Sequence, residues 1–284
     1  MNDITMYSPR NLDELVPALA AATGLSKIIA GGTDLTIAMH EGEVCPDILI
    51  DVSRTEEMRR ISESGGKIVI GAAVTFTEAE NDPTIKKYFP SIARAASGVG
   101  SKQIRNRGTI GGNLANASPA GDMLPPLTAL DARVVTVNSK NEIKRRTVND
   151  IVAPGSPQKL KFDEAVVSIE LPAPRGESVN TFAKLGSRRA VSIARLSVAL
   201  NAGFSGGLLT APIVILGALG RAPVDAKRAA AAIEGVPLTD ETAERFAEAM
   251  AEEVDLAIPG RYSQPYKREA IKGLALDLLS QLPR

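Results

Sequence analysis

The densest chemistry in this chain lies in residues 109–122, Thr-Ile-Gly-Gly-Asn-Leu-Ala-Asn-Ala-Ser-Pro-Ala-Gly-Asp. Gly111 and Gly112 carry no β-carbon to hold a ligand away from the backbone. Asn113, Asn116, Ser118 and Asp122 surround them with groups that hydrogen-bond hydroxyls and phosphate oxygens. A second glycine pair lies upstream, in Ile28-Ile29-Ala30-Gly31-Gly32-Thr33-Asp34-Leu35. Successive backbone N–H groups in such turns cradle anions, so two loops of this kind suit one long phosphorylated cofactor. A Gly-Gly pair after a strand is equally the composition of a tight turn. The usual nucleotide signatures are missing: no GxGxxG opens a helix, and no GxxxxGK[ST] occurs.

The pattern predicts the elements that must hold these loops. Asn11 and Glu14 form a cap-and-N3 pair before Leu12, Leu15, Val16 and Leu19, so residues 11–23 read as an amphipathic helix. Ile28-Ile29-Ala30 reads as a short strand entering the first glycine loop. Residues 34–40 form a helical turn and Ile48-Leu49-Ile50 another strand, giving a β-α-β lobe. Lys67–Ile70 is a strand after the turn Ser64-Gly65-Gly66, and 77–81 and 83–97 are helical, broken at Pro83 and Pro90. Span 98–125 is too rich in Gly, Asn and Pro for a regular element, and reads as a functional loop with short helical turns. Val134–Val137 and Ile143 onward make a hairpin, and Val166–Leu171 closes this second lobe. Strands at 180–186, 191–204 and 212–219 then give an antiparallel sheet. Helices at 225–234, 240–256 and 264–281 follow, the last with Ile271, Leu274, Leu278 and Leu282 on one face. The division expected is 1–55, 56–174 and 175–284.

Composition narrows the function. The 284 residues carry 33 basic and 33 acidic side chains, which argues against nucleic-acid binding. No apolar run approaches the roughly 20 residues of a membrane span, and the start Met1-Asn2-Asp3-Ile4 lacks a secretory layout; the expectation is a soluble cytoplasmic protein. Cys45 and His40 are the sole cysteine and histidine, too few for an iron–sulfur cluster or a zinc site within this chain. No metal site and no catalytic acid–base residue is assigned. Cys45 reads as a packing or bystander thiol and His40 as a helix-end or surface residue. Trp is absent and aromatics are scarce, so a large ring would rest on aliphatic side chains and backbone.

The two glycine motifs together, with Ser118-Pro119-Ala120-Gly121-Asp122 after the second, resemble the FAD-binding subunit of molybdenum hydroxylases. That family includes xanthine dehydrogenase, carbon monoxide dehydrogenase, nicotinate dehydrogenase and 4-hydroxybenzoyl-CoA reductase. The similarity continues through Val166-Val167-Ser168-Ile169-Glu170-Leu171-Pro172 and Phe182-Ala183-Lys184-Leu185-Gly186-Ser187-Arg188-Arg189. It implies an α+β fold: a two-lobed PCMH-type FAD-binding domain, then an antiparallel sheet packed with helices. It implies cofactor contacts from Ile28, Ile29, Ala30, Gly31, Gly32, Thr33, Asp34 and Leu35, and from Thr109, Ile110, Gly111, Gly112 and Asn113. By the same resemblance Asp122 accepts hydrogen bonds from cofactor hydroxyls, Val166 and Lys184 lie beside the flavin ring, and Val99 lies near the nucleotide end.

The function implied is an electron-transfer subunit of a xanthine dehydrogenase-like complex. Electrons would come from [2Fe–2S] clusters on a small partner subunit, fed by a large molybdopterin subunit, and leave through FAD to NAD(H) or another acceptor. Thr33 stands where covalent-flavin oxidases of the wider superfamily often carry histidine, so the FAD would be non-covalent. One cysteine also disfavours the reductase member whose flavin subunit holds an extra cluster. The alternatives are a free-standing flavin oxidoreductase of the same superfamily and a non-enzymatic assembly protein.

Overall fold

A computed structural model describes residues 4–174, 176–188 and 190–283; the start at residues 1–3 and Arg189 of the quoted 182–189 segment lie outside them. In chain order the elements are β1 (Thr5–Tyr7), α1 (Leu12–Ala20), β2 (Lys27–Ile29), α2 (Leu35–His40) and β3 (Ile48–Asp51). A 3-10 turn at Glu56–Arg59 precedes β4 (Ile61–Ser64), β5 (Lys67–Gly71), α3 (Phe76–Asn81), α4 (Pro83–Tyr88) and α5 (Pro90–Ser97). Next come α6 (Lys102–Arg105), α7 (Ile110–Asn116), α8 (Leu124–Ala129), β6 (Arg133–Asn138), β7 (Ile143–Thr147), α9 (Val148–Val152) and β8 (Glu164–Pro172). The chain ends in β9 (Ser178–Gly186), β10 (Ala194–Ser205), β11 (Leu208–Gly217), β12 (Val224–Asp225), α10 (Lys227–Ile233), α11 (Asp240–Ala257) and α12 (Gln264–Leu279).

These elements form two compact units. The first holds the chain up to Ala79, Ser101–Ala117 and Asp131–Ala173. Its parallel sheet has the order β1-β3-β2, pairing Thr5 with Ile48 and Lys27 with Leu49. Helix α1 forms where the sequence places its cap: Asn11 accepts the Glu14 N–H, Glu14 accepts the Arg10 N–H, and Leu15, Ala18 and Leu19 are buried. The second sheet is antiparallel, with the order β4-β5-β8-β6-β7. The structure adds elements that the sequence reading lacked, among them α9 and β12. β1 and β4 are exposed strands with no apolar alternation to reveal them, and the short helical turns expected in 98–125 are the helices α6 and α7 and the start of α8. Their ends are set locally: Thr109 caps α7 at the Gly112 N–H, Ala117 closes it in the left-handed conformation, and prolines open α8.

The second unit holds Glu80–Gly100, Ser118–Leu130 and the chain from Pro174 onward. Its antiparallel sheet, β12-β11-β10-β9, packs Val198, Leu200, Val214 and Leu216 against Phe246, Met250, Val254, Ile271, Leu274 and Leu278 of α11 and α12. Helix α8 packs on β10 and β11, where Gly217 leaves room for Pro125.

Candidate functional site

In the first unit, β2 delivers the first glycine loop. Gly32 sits at φ +74, a conformation that glycine adopts without penalty. Its carbonyl accepts the Thr36 hydroxyl at 2.6 Å and the Thr36 N–H at 3.0 Å. Among the described residues, the N–H groups of Gly31, Gly32, Thr33, Asp34 and Leu35 have no protein acceptor. Five consecutive N–H groups without a protein acceptor are the raw material of an anion nest. The Thr33 hydroxyl donates to Asp34 at 3.2 Å.

The second loop differs from what its glycines suggest. The N–H groups of Ile110 and Gly111 donate to the Val74 and Ala72 carbonyls, each at 3.0 Å. Those of Gly112 and Asn113 donate to Thr109, side chain and carbonyl respectively. These donors are spent inside the protein, so this segment offers a smooth surface rather than a second nest. Gly31 and Gly111 are also bare for the fold's own sake. A β-carbon on Gly31 would lie 2.0 Å from the Arg107 carbonyl oxygen, and one on Gly111 would lie 2.5 Å from the Ala72 β-carbon. Gly112 alone of this pair is exposed; its β-carbon would approach only the Thr109 hydroxyl, at 2.8 Å.

Both segments wall a cavity of about 320 Å³ within this unit. Ile28, Ala30, Val52, Met58, Ala72 and Val166 supply an apolar lining, and Gly111 and Gly112 supply bare backbone. The segment 160–162 completes the wall with Leu160, Lys161 and Phe162. An apolar cavity whose lining includes Ala30, next in sequence to the unpaired donors, has the make-up of a site for a flat ring carrying an anionic tail. A second, polar recess of about 420 Å³ is walled by Gly31, Thr109, Arg54, Arg59 and Arg107. Lys102 and Arg105, which flank the loop in sequence, belong to α6.

In the second unit, Lys184 on edge strand β9 reaches Asp122, which precedes α8. Lys184 Nζ donates to Asp122 Oδ2 at 2.5 Å and to the Gly98 carbonyl at 3.0 Å. Asp122 is 5% exposed, and its Oδ1 is buried with no hydrogen-bond partner. Burial pushes its carboxyl up to about 6, against the pull of Lys184. One acceptor oxygen is thus left waiting for a donor, while the lysine ammonium retains a third N–H. Val99 is half-buried just past α5.

Sequence reasoning missed Phe162, Met58 and Val52 on the cavity wall, since nothing in their spacing marks them. Among the described residues no group of three or more His, Cys, Asp and Glu could hold a metal ion, and no helix is long and apolar enough to cross a membrane. Cys45 is exposed, and His40 ends α2.

An apolar cavity and a run of unpaired donors, on an α+β frame, have the make-up of a nucleotide-cofactor protein outside the Rossmann and P-loop classes. Comparison with known proteins specifies the class further. The profile of the FAD binding domain in molybdopterin dehydrogenase matches residues 2–174, and that of the CO dehydrogenase flavoprotein C-terminal domain matches 181–282. The chain is 33% identical over 290 positions to the nicotinate dehydrogenase FAD-subunit of Eubacterium barkeri, covering 99% of this chain and 98% of that one. It is 25% identical over 265 residues to the putative xanthine dehydrogenase FAD-binding subunit of Escherichia coli K12, covering 93% of this chain and 90% of the other. The carbon monoxide dehydrogenase structure from Hydrogenophaga pseudoflava superposes with a TM-score of 0.86 at 26% identity, covering 98% of this chain and 96% of that chain. Quinoline 2-oxidoreductase from Pseudomonas putida 86 gives 0.87 at 25% identity, with the same coverages. The chain belongs to the family of FAD-binding subunits of molybdopterin dehydrogenases, and is an oxidoreductase subunit.

Proposed function

We propose that this chain holds one FAD without a covalent bond and serves as the electron-relay subunit of a molybdenum hydroxylase complex. The observation that carries the reading is the run of unpaired N–H groups from Gly31 to Leu35, beside the apolar cavity that begins at Ala30. A pyrophosphate is the anion such a run accepts, and the cavity takes one of the ring systems attached to it. The residues therefore fit the cofactor, with Ile28, Ile29, Ala30, Val166 and Gly112 as apolar or bare surface. Thr109, Ile110, Gly111 and Asn113 contribute shape through a backbone already hydrogen-bonded within the protein. The family resemblance alone puts Asp122, Lys184 and Val99 of the second unit among the cofactor contacts. Asp122 Oδ1 accepts from a hydroxyl, and Lys184 offers its remaining N–H to the polar edge of the flavin.

FAD, when bound, passes electrons singly or in pairs, which suits a junction between one-electron clusters and a two-electron acceptor. The chain's own residues bind and orient it, exclude water from the ring in the cavity, and hold a positive charge at Lys184. The partners proposed are a small subunit with [2Fe–2S] clusters and a large molybdopterin subunit, with NAD(H) as acceptor, in the cytoplasm. Native purification tests this. Iron, molybdenum, one FAD per chain and two further subunits should accompany the protein. A colourless chain that purifies alone, free of iron and molybdenum, would overturn the proposal.

A further inference from the structure

Phe162 stands apart from the other phenylalanines of the chain. Phe76, Phe89, Phe182 and Phe246 are buried and Phe204 is half-buried, whereas Phe162 is 51% exposed. It lines the first unit's cavity from segment 153–163, which carries no regular secondary structure. Its backbone is nonetheless pinned on both sides. The Lys161 N–H donates to Glu164 Oε2 at 3.4 Å, and Asp163 accepts the Ser139 hydroxyl at 2.5 Å and, at its carbonyl, the Ser139 N–H at 3.0 Å.

Beneath the segment, Arg146 and Glu164 form a buried ion pair, with side-chain exposures of 5% and 3%. Arg146 also donates to the Gln158 carbonyl at 2.5 Å and to the Thr136 hydroxyl at 2.6 Å. Burying such a pair is costly unless its geometry is used, and here it ties down both Gln158 and Lys161. A fixed backbone therefore presents one half-exposed aromatic ring at an apolar cavity.

We propose that Phe162 is the stacking wall for a heteroaromatic ring of the dinucleotide, with Arg146 and Glu164 as its positioning residues; this rests on the FAD reading above. An aromatic face against a flat heterocycle gains dispersion and offset stacking that an aliphatic side chain of similar volume lacks. The ring is either the adenine or the isoalloxazine, which share this chemistry.

The test is FAD binding to the apo full-length chain, followed by flavin fluorescence, for the wild type, Phe162→Leu and Phe162→Trp. Phe162→Leu keeps the bulk and loses the π-face, so FAD affinity should fall roughly tenfold to a hundredfold, as base–aromatic stacking predicts. Phe162→Trp should restore it, and melting temperatures of the apo forms should agree because the side chain is half in water. ADP and riboflavin, titrated separately, identify the ring: the one weakened by Phe162→Leu is the one stacked. Phe162→Leu binding FAD as tightly as the wild type would overturn the inference and leave the FAD reading standing. A wild-type chain that binds no FAD would overturn that reading itself.

Discussion

Replacing Asp122 by asparagine exposes the strain stored in this carboxyl. The group is nearly buried, has one unpaired oxygen, and titrates at about 6 in the folded chain against an ordinary 3.8. A raised carboxyl pKa means that the folded state binds the proton more tightly than the unfolded state. Stability from this group is therefore fully present below about 4 and declines as pH rises to about 6. At about 1.4 kcal/mol per tenfold change in acidity, the decline amounts to about 3 kcal/mol. Urea unfolding of apo wild type and Asp122→Asn across this range isolates the effect, because other carboxyls cancel in the difference. The wild type should lose about 3 kcal/mol relative to the variant between pH 4 and pH 7. On the proposed reading a cofactor hydroxyl donates to Oδ1, and such a donor favours the carboxylate. FAD should consequently bind the wild type more tightly as pH climbs through about 6, and bind Asp122→Asn without that rise. A wild-type stability that stays level with or gains on that of Asp122→Asn as pH rises would refute the reasoning.

The glycines should separate by role. Gly31→Ala and Gly111→Ala, whose β-carbons would strike Arg107 and Ala72, should lower the melting temperature with or without FAD. Gly112→Val should chiefly weaken FAD binding, with a stability loss near the about 1 kcal/mol of a disturbed cap at Thr109. Acid precipitation of the yellow protein should leave all flavin in the supernatant, since Thr33 offers no histidyl link; flavin retained on the pellet would contradict non-covalent binding. Arg146→Met leaves Glu164 buried without its partner and should cost about 3–5 kcal/mol by urea unfolding, with Arg146→Met/Glu164→Leu recovering much of it.

What was legible in the sequence had a local or periodic cause. The Asn11–Glu14 cap announced α1, and Ile271, Leu274 and Leu278 recur at helical spacing on the buried face of α12. β1, three exposed residues paired with Ile48–Ile50, owes its existence to a distant strand and shows no pattern of its own. Spacing also could not say which way a bare Cα faces. Gly31 and Gly111 face the protein's own backbone, whereas Gly112 is open. Asp122 and Lys184 are 62 positions apart, so their ion pair, and the acceptor it leaves unpaired, emerges only once the chain is folded. Phe162 lies between Lys161 and Asp163 in a segment without period, where an exposed aromatic looks like any loop residue.

The most direct test is to titrate FAD into the purified apo chain and read stoichiometry from flavin fluorescence. Saturation at one equivalent, with ADP competing for the same site, is the predicted result. Free flavin at every ratio, with the donors from Gly31 to Leu35 left to water, would contradict the account.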